Sequence, residues 1–518
     1  MRIALPTAAF VIALLLRLGN AATWQLAPVD ELYHLKRMTH FVDFDPDRGA
    51  FCPWPPLYDR LLGGFAHLTG ATTQAEVLAR VKWIPPVGGA LFVAFAVAWI
   101  DRRYGRAAAV AVGVALAASP FIVTQSWVGS IDHHWTEPIF VFAIVVGVVE
   151  RRALLLAVAL TAAMFVQTAL LVAAALAFVI LFFTSDGREG AIAFGTGAIA
   201  FALYRATRPP GYPDNAWFLG WTHAALFAAA AVACAYLAWR GSRLFALLAG
   251  ACVVLATPTA PAALLGGSHF FGGEHWLQTI SEFQPLWKAH GDDLLSIAAG
   301  LGAGAILAWP LLRREWRVAA FAILYLLLTI TSRRFWSVSI PMLAVAGAIE
   351  AARRNRLALA AVALIPPIQF ALWMLYPQPP VASAYRPWFA AARFMHGQPS
   401  GRVLAPWSVG HLIDVVGGRA VIVDNFGTMP DEIAFERAHD AILTTHEESL
   451  ARYCDENGIR FVAYDRPRAL PAATAIVGVD FPPKLAASTV WLRATRGAPL
   501  RLFRRVWAED GIVIVERR

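Results

Sequence analysis

Apolar residues run through this 518-residue chain in long blocks broken by short polar stretches. A helical membrane span takes about 20 apolar residues, and sometimes about 17. On that scale the pattern predicts thirteen spans, at about 3–24, 84–100, 107–125, 136–150, 153–167, 169–184, 190–205, 219–239, 243–265, 294–312, 317–332, 335–350 and 357–376. The run from Ala153 to Phe183 is too long for one ordinary span, and Gln167-Thr168 offers the polar turn that divides it. The first run follows a lone Arg2 and shows no clear small-residue cleavage site, so it reads as a retained span.

Beyond the Pro-rich stretch "YPQPPVASAYRP" the periodicity changes. "GRVLAPW", "RAVIVD", "IRFVAYD", "LRLFRRVW" and "GIVIVERR" read as short strands, while "SVGHLIDVV" and "PDEIAFERAHDAILTTHEESLARYCDENG" read as helix-rich connections. The expected organisation is a helical membrane domain over 1–376, a linker over 377–390 and a small external α/β domain over 391–518. Two long polar segments, 27–83 and 266–293, interrupt the apolar pattern. The second opens with glycines and reads as a loop over a site, with metal binding by its His269 and His275 the lesser reading.

Composition agrees with the pattern. The chain is 58% hydrophobic and 15% charged, with mean hydropathy +0.55, whereas soluble domains carry about 25% charged residues. A net charge of +9 would suit nucleic acid, but the arginines cluster in short loops between apolar runs. With the N-terminus inside, the inner loops become "DRRYGR", "ERR", "SDGRE", "WRGSR", "RREWR" and "ARRNR", each carrying arginine. The outer turns at 126–135 and around Gln167 carry none, and 205–220 carries two. Positive charge kept inside explains this alternation, so the bilayer is the expected partner and nucleic acid is not. An odd number of spans sends everything after Tyr376 outside. The four cysteines have no metal or redox spacing; Cys234 and Cys252 read as small core residues, and nothing supports a Cys52–Cys454 bridge between external segments. His439 and His446 read as surface histidines.

That topology gathers the unusual polar residues on one side. Asp30 opens the first long loop, Asp132 and His134 sit in the turn "SWVGSIDHHWTEPIF", Glu282 lies in the second long loop, and Arg333 and Arg334 stand at the junction "TSRRFWSVSIP". Charges at membrane depth cost about 2.5–3.5 kcal/mol each on insertion scales, so they face a cavity or a partner. Carboxylate and imidazole donors suit Mg²⁺ or Mn²⁺, and two imidazoles suit Zn²⁺ as well. A transporter reading lacks repeat symmetry and polar residues deep in the spans.

These stretches carry a resemblance. "PVDELYHLKRMTHF" resembles the first acidic motif of the oligosaccharyltransferase catalytic-subunit family, Asp-Pro-Tyr-Tyr-His followed by a basic residue. "SWVGSIDHHWTEPIF" is similar to the second, which reads Asp-His-His in archaeal members. "LQTISEFQPLW" resembles the Thr-Ile-x-Glu motif with its following Gln-Pro, and "RRFWSVSIP" the arginine-bearing start of a late span. The resemblance implies a polytopic α-helical membrane protein of GT-C type, about thirteen transmembrane helices with a C-terminal external α/β domain. It implies a single-subunit, metal-dependent, inverting glycosyltransferase of the inner (plasma) membrane, with its site on the periplasmic face. An oligosaccharide would pass from a polyprenyl-(pyro)phosphate carrier to protein asparagine.

Carried over residue by residue, Asp30, Asp132 and His134 would hold a divalent metal, with His133 ranking behind them. Asp30 and Glu282 would orient the acceptor amide as the catalytic pair, and Arg334, with Arg333 as the alternative, would bind the lipid pyrophosphate. The family's Trp-Trp-Asp-Tyr-Gly, which reads the acceptor's Ser/Thr, falls at "APWSVGHLIDVVGG". Trp407, Gly410 and His411 keep its frame as acceptor-binding candidates, but Pro406 and Ser408 replace its first Trp and its Asp. That departure keeps a second reading open: transfer to a lipid or glycan acceptor. Trp407 also reads as a packing residue.

Overall fold

The computed structural model describes residues 3–24, 26, 30–45, 50–261, 284–286, 311–354, 356–375, 381–427, 431–469 and 488–518. Glu282, His269, His275 and nearly all of the tenth candidate span lie outside the described residues. A helix stands at every other candidate span: Ala4–Arg17, Ile84–Tyr104, Arg106–Ala117, Glu137–Val149, Ala153–Val166, Leu171–Phe183, Gly187–Ala206, Trp221–Arg240, Arg243–Leu255, Trp316–Thr331, Trp336–Arg354 and Arg356–Leu375. Among the described residues, four helical stretches are long and apolar enough to cross a membrane: Gln74–Tyr104, Trp221–Arg240, Arg333–Arg354 and Arg356–Leu375. Their outward faces are apolar too, with Leu357 83% and Leu375 72% exposed. A helix apolar on every face belongs in lipid, so this is a helical membrane protein.

The bundle packs around one large core of Ala, Val, Leu and Phe drawn from nearly all these helices. What shapes the site is where the helices are interrupted. Asp132, Gln167 and Ser332 each adopt extended backbone (φ/ψ −70/150°, −153/114° and −150/120°), and each is followed by a short 3₁₀ turn that leads into an apolar helix. The predicted division at Gln167-Thr168 is one of these three breaks.

The first long segment folds into the helix Asp30–His40, a two-stranded ribbon, β1 (Phe44–Asp45) with β2 (Ala50–Phe51), and the helices Leu57–Leu68 and Gln74–Val81. Thr73 caps the last of these in a reciprocal capping box with Glu76. The helix Asp30–His40 is a wedge. Leu35 and Met38 enter a cluster with Tyr58, Leu62, Val77 and Ile131, whereas Leu32 enters another with Trp388, Ala391 and Leu412 from the C-terminal part. Gly63 lets the neighbouring helix approach closely, since a Cβ there would lie 2.3 Å from the Met38 carbonyl oxygen.

The C-terminal part is built on a four-stranded sheet in the order β3 (Arg402–Leu404), β4 (Ile459–Tyr464), β6 (Ile512–Arg517), β5 (Phe503–Glu509); β3 and β4 are parallel, the other pairs antiparallel. The expected strand over "RAVIVD" is reduced to one bridge, Val403 to Val421, because the chain there turns into the loop that bears Asp424. Helices Gly410–Gly417, Glu432–Leu443 and Glu447–Glu456 stand where the periodicity placed them.

Two expectations need correction. His439 is buried, with its Nδ1 2.8 Å from the Phe435 carbonyl oxygen one turn earlier. Cys252 is exposed on the outer face of its helix rather than packed in the core. As expected, no disulfide joins Cys52 to Cys454; each is buried in its own cluster.

Candidate active site

The turn 126–135 is pinned before it delivers its side chains. Arg17 donates Nε to Ser126 Oγ at 2.8 Å, and Asn20 exchanges two hydrogen bonds with the Val128 backbone. Gly129, at φ 90°, lets the chain double back against the Trp24 ring. Extended backbone at Asp132 then sends the next two imidazoles opposite ways.

His133 is buried and turns toward the first-loop helix. Its Nε2 lies 2.8 Å from the Gln167 amide nitrogen, and its Nδ1 lies 3.0 Å from Asp132 Oδ1 and 2.9 Å from His34 Nε2. His34 donates Nδ1–H to Asp59 Oδ1 at 2.6 Å, and Arg37 pairs with the other Asp59 oxygen. The Trp54 indole stacks on His34 at 4.4 Å and 12°. Burial opposes charge on His34, but Asp59 and Asp132 outweigh it and push its pKa up to about 10. Burial takes His133 down to about 4, so it stays neutral.

His134 turns toward the late helices. Arg334 donates Nη1 to His134 Nε2 at 2.7 Å and Nη2 to Glu137 Oε1 at 2.9 Å, and His134 Nδ1 lies 2.9 Å from that same carboxylate oxygen. Arg333 holds the chain just after the predicted acidic loop motif: its backbone N–H donates to the Gln284 carbonyl at 3.0 Å and its Nη2 to Gln284 Oε1 at 3.4 Å. Its buried Nε has no partner among the described residues.

Asp30 comes in from the start of the wedge helix. Asp30, Asp132 and His134 each offer one ligand atom, and the three atoms lie within 4.8 Å of one another. Ligands 2.0–2.6 Å from a shared cation are separated by about that much. Two further triads overlap it, His34 with Asp132 and His133, and His133 with His134 and Glu137. The buried Asp132 Oδ1 has no well-aligned hydrogen bond among the described residues although imidazoles surround it. An ionised, under-satisfied carboxylate oxygen among nitrogen donors fits a divalent cation. Next door, burial and then the Asp132 and Asp30 carboxylates push Glu31 up to about 8.

The acceptor candidates divide. Trp407 is half-buried and packs on the sheet's core. Gly410 is a contact glycine, since a Cβ there would lie 2.4 Å from the Asp424 Cα. His411 is fully buried, so it offers no surface to an acceptor; it bridges inward instead. Its Nδ1 lies 3.4 Å from Asp424 Oδ2, its Nε2 4.0 Å from Asp30 Oδ1, and its ring stacks on Tyr33 at 4.7 Å.

Sequence reasoning assigned no role to His34, Asp59, Glu137 or Gln167. His34 was within reach, because it lies four residues after Asp30 and so on the same helix face. Gln167 was read only as a turn.

Comparison with known proteins reaches the fold. No family model matches the chain, and no curated protein matches it. Among solved structures, the oligosaccharyltransferase of Archaeoglobus fulgidus in its apo form superposes with a TM-score of 0.76 at 16% identity, over 98% of this chain and 80% of that one. The archaeal oligosaccharyltransferase AglB from the same organism, in complex with an inhibitory peptide and a dolichol-phosphate, gives 0.76 at 17% identity over 98% and 79%. The A. fulgidus enzyme in complex with Zn and sulfate gives 0.68 at 16% identity over the same shares. The chain has the fold of an archaeal oligosaccharyltransferase along nearly its whole length.

Proposed function

We propose that this protein is a membrane glycosyltransferase that moves an oligosaccharide from a polyprenyl-(pyro)phosphate carrier to asparagine side chains of proteins. The observation that carries the reading is the meeting of Asp30 with Asp132 and His134 from a distant turn, with Arg334 bonded to His134. The fold supports it, and so do the dolichol-phosphate, peptide and Zn found with proteins of that fold. In this reading all thirteen spans cross the inner membrane, one subunit suffices, and the site and the 391–518 domain face the periplasm.

Asp30, Asp132 and His134 would hold a divalent cation, Mg²⁺, Mn²⁺ or Zn²⁺. Such a cation supplies positive charge that keeps the carboxylates ordered and ionised. Asp30 and Glu282 accept the two N–H bonds of the acceptor amide, which aims its nitrogen at the anomeric carbon. The new C–N bond forms as the C–O bond to phosphate breaks on the opposite face, so configuration inverts, and the proton the amide nitrogen loses passes to one of the two carboxylates that accept its N–H bonds. Arg334 and Arg333 neutralise the departing pyrophosphate, a task suited to planar guanidinium donors. Orientation and charge stabilisation then supply most of the rate.

The test is transfer by the purified full chain from a host lipid extract to an asparagine-containing peptide. EDTA abolishes transfer and Mn²⁺ restores it, and Asp30→Ala and Glu282→Ala each lose at least about 100-fold. Wild-type rates in both variants would sink the proposal. Ser408, in the place where the resembling family has Asp, favours the second reading, a lipid or glycan acceptor. Mass spectrometry of the product separates the two.

A further inference from the structure

Asp132 turns its two oxygens to different neighbours. Oδ2 lies 3.3 Å from His134 Nε2. Oδ1 lies 3.0 Å from His133 Nδ1 and 3.3 Å from His34 Nε2, and those two ring nitrogens are 2.9 Å apart. Three donor atoms thus form a triangle with sides of 2.9–3.3 Å. Ligands held 2.0–2.1 Å from a tetrahedral zinc stand about 3.3 Å apart, so the triangle has the size of one face of such a site. Hydrogen bonding alone serves it poorly. The two nitrogens face one another and the same oxygen, and the buried Asp132 Oδ1 has no well-aligned donor among the described residues.

Each imidazole is also held from behind. His34 Nδ1 donates to Asp59 Oδ1 at 2.6 Å, which leaves Nε2 as the atom offered inward. His133 Nε2 meets the Gln167 side-chain amide at 2.8 Å. An amide turned with its oxygen to the ring accepts the Nε2 proton and leaves Nδ1 to bind. Outer partners of this kind fix the tautomer and orientation of metal-binding imidazoles. The surroundings are dry and stiff: both rings are 1% exposed, Trp54 stacks on His34 at 4.4 Å, and Tyr58 Oη donates to the Ile131 carbonyl at 2.8 Å, just before Asp132.

We infer that His34 Nε2, His133 Nδ1 and Asp132 Oδ1 form a second divalent-cation site, which shares only the Asp132 carboxylate with the site of Asp30 and His134. Two imidazoles and one carboxylate favour Zn²⁺ over Mg²⁺, with a fourth position left to water. A divalent ion takes the place of the proton that, against the cost of burial, Asp59 and Asp132 hold on His34. It ties the first-loop helix, whose first residue is Asp30, to the turn that carries Asp132. Toward the cation of Asp30 and His134, His133 is therefore an orienting partner and not a ligand. The inference goes beyond the proposed function and depends on no sugar donor or acceptor.

The test counts zinc on the purified full chain in detergent, stripped with EDTA, reloaded with Zn²⁺ and passed over a weak chelating resin before elemental analysis. Wild type holds two ions per chain. Asp30→Ala keeps one, and X-ray absorption of that ion shows two imidazoles. His34→Gln, which can still donate to Asp59, also holds one, and the double variant holds none. Fewer than two ions on the wild type, or an ion in Asp30→Ala that the added His34→Gln leaves in place, overturns the inference. So does an ion in Asp30→Ala with fewer than two imidazoles around it, a measurement that needs no His34 variant. The counts are made without donor or acceptor, so they stand apart from the outcome of the transfer assay.

Discussion

His133 and His134 are adjacent in sequence, yet their imidazoles answer to different partners. His133 is locked between Gln167 and His34, and His134 lies among Asp132, Glu137 and Arg334. Their substitutions therefore separate. His134→Ala removes a proposed ligand and raises the Mn²⁺ concentration needed for half-maximal transfer by at least about 100-fold. His133→Ala removes only an orienting partner and costs about tenfold, and Gln167→Ala a comparable amount, as outer partners of metal ligands do. A metal titration of transfer activity in the three variants reads both effects; equal shifts for His133→Ala and His134→Ala would contradict the assignment. The polar residues were legible because charge is so scarce in this chain. Their pairing was not, since nothing in the spacing reveals that residues 34, 59, 133 and 167 converge.

Helices were the most legible elements, because apolar length alone specifies them in lipid. The extended backbone at Asp132, Gln167 and Ser332 was visible only where a polar residue split a long apolar run. His439 was misread because its helix buries a wider face than its neighbouring charges suggest. At the start of the helix Glu447–Glu456, Glu447 shows how one side chain joins separate elements. It accepts backbone N–H groups of Arg501 at 2.8 Å and Leu502 at 3.0 Å with one oxygen and the Arg493 guanidinium with the other. Burial opposes its charge, but these donors prevail and lower its pKa. A lowered carboxylate pKa contributes stability above the unfolded value of about 4.3 and loses it as pH falls through the folded value. Glu447→Gln should therefore weaken the sheet by about 1–3 kcal/mol at pH 7, with the gap closing below about pH 4. Hydrogen exchange in β5 and β6 measures it, and a gap independent of pH would contradict this account.

At the scale of the molecule, the site lies where the membrane bundle, the first-loop helix and the C-terminal part meet. Lys36 reaches from that helix to both oxygens of Asp414, at 3.0 and 2.8 Å, and Tyr33, Trp54, Phe426 and His411 close an aromatic cluster across the same junction. Among the described residues no single segment contains the candidate site, which is why the sequence stretches that bear it were individually short and informative only together. The central claim is that these stretches serve transfer of glycan to asparagine. Intact-glycopeptide mass spectrometry of the host tests it most directly, in cells lacking the protein and in cells complemented with wild type or Asp132→Ala. The account predicts asparagine-linked glycopeptides that vanish without the protein, return with wild type and stay absent with Asp132→Ala. An unchanged glycopeptide profile in cells lacking the protein, or full recovery with Asp132→Ala, would contradict it.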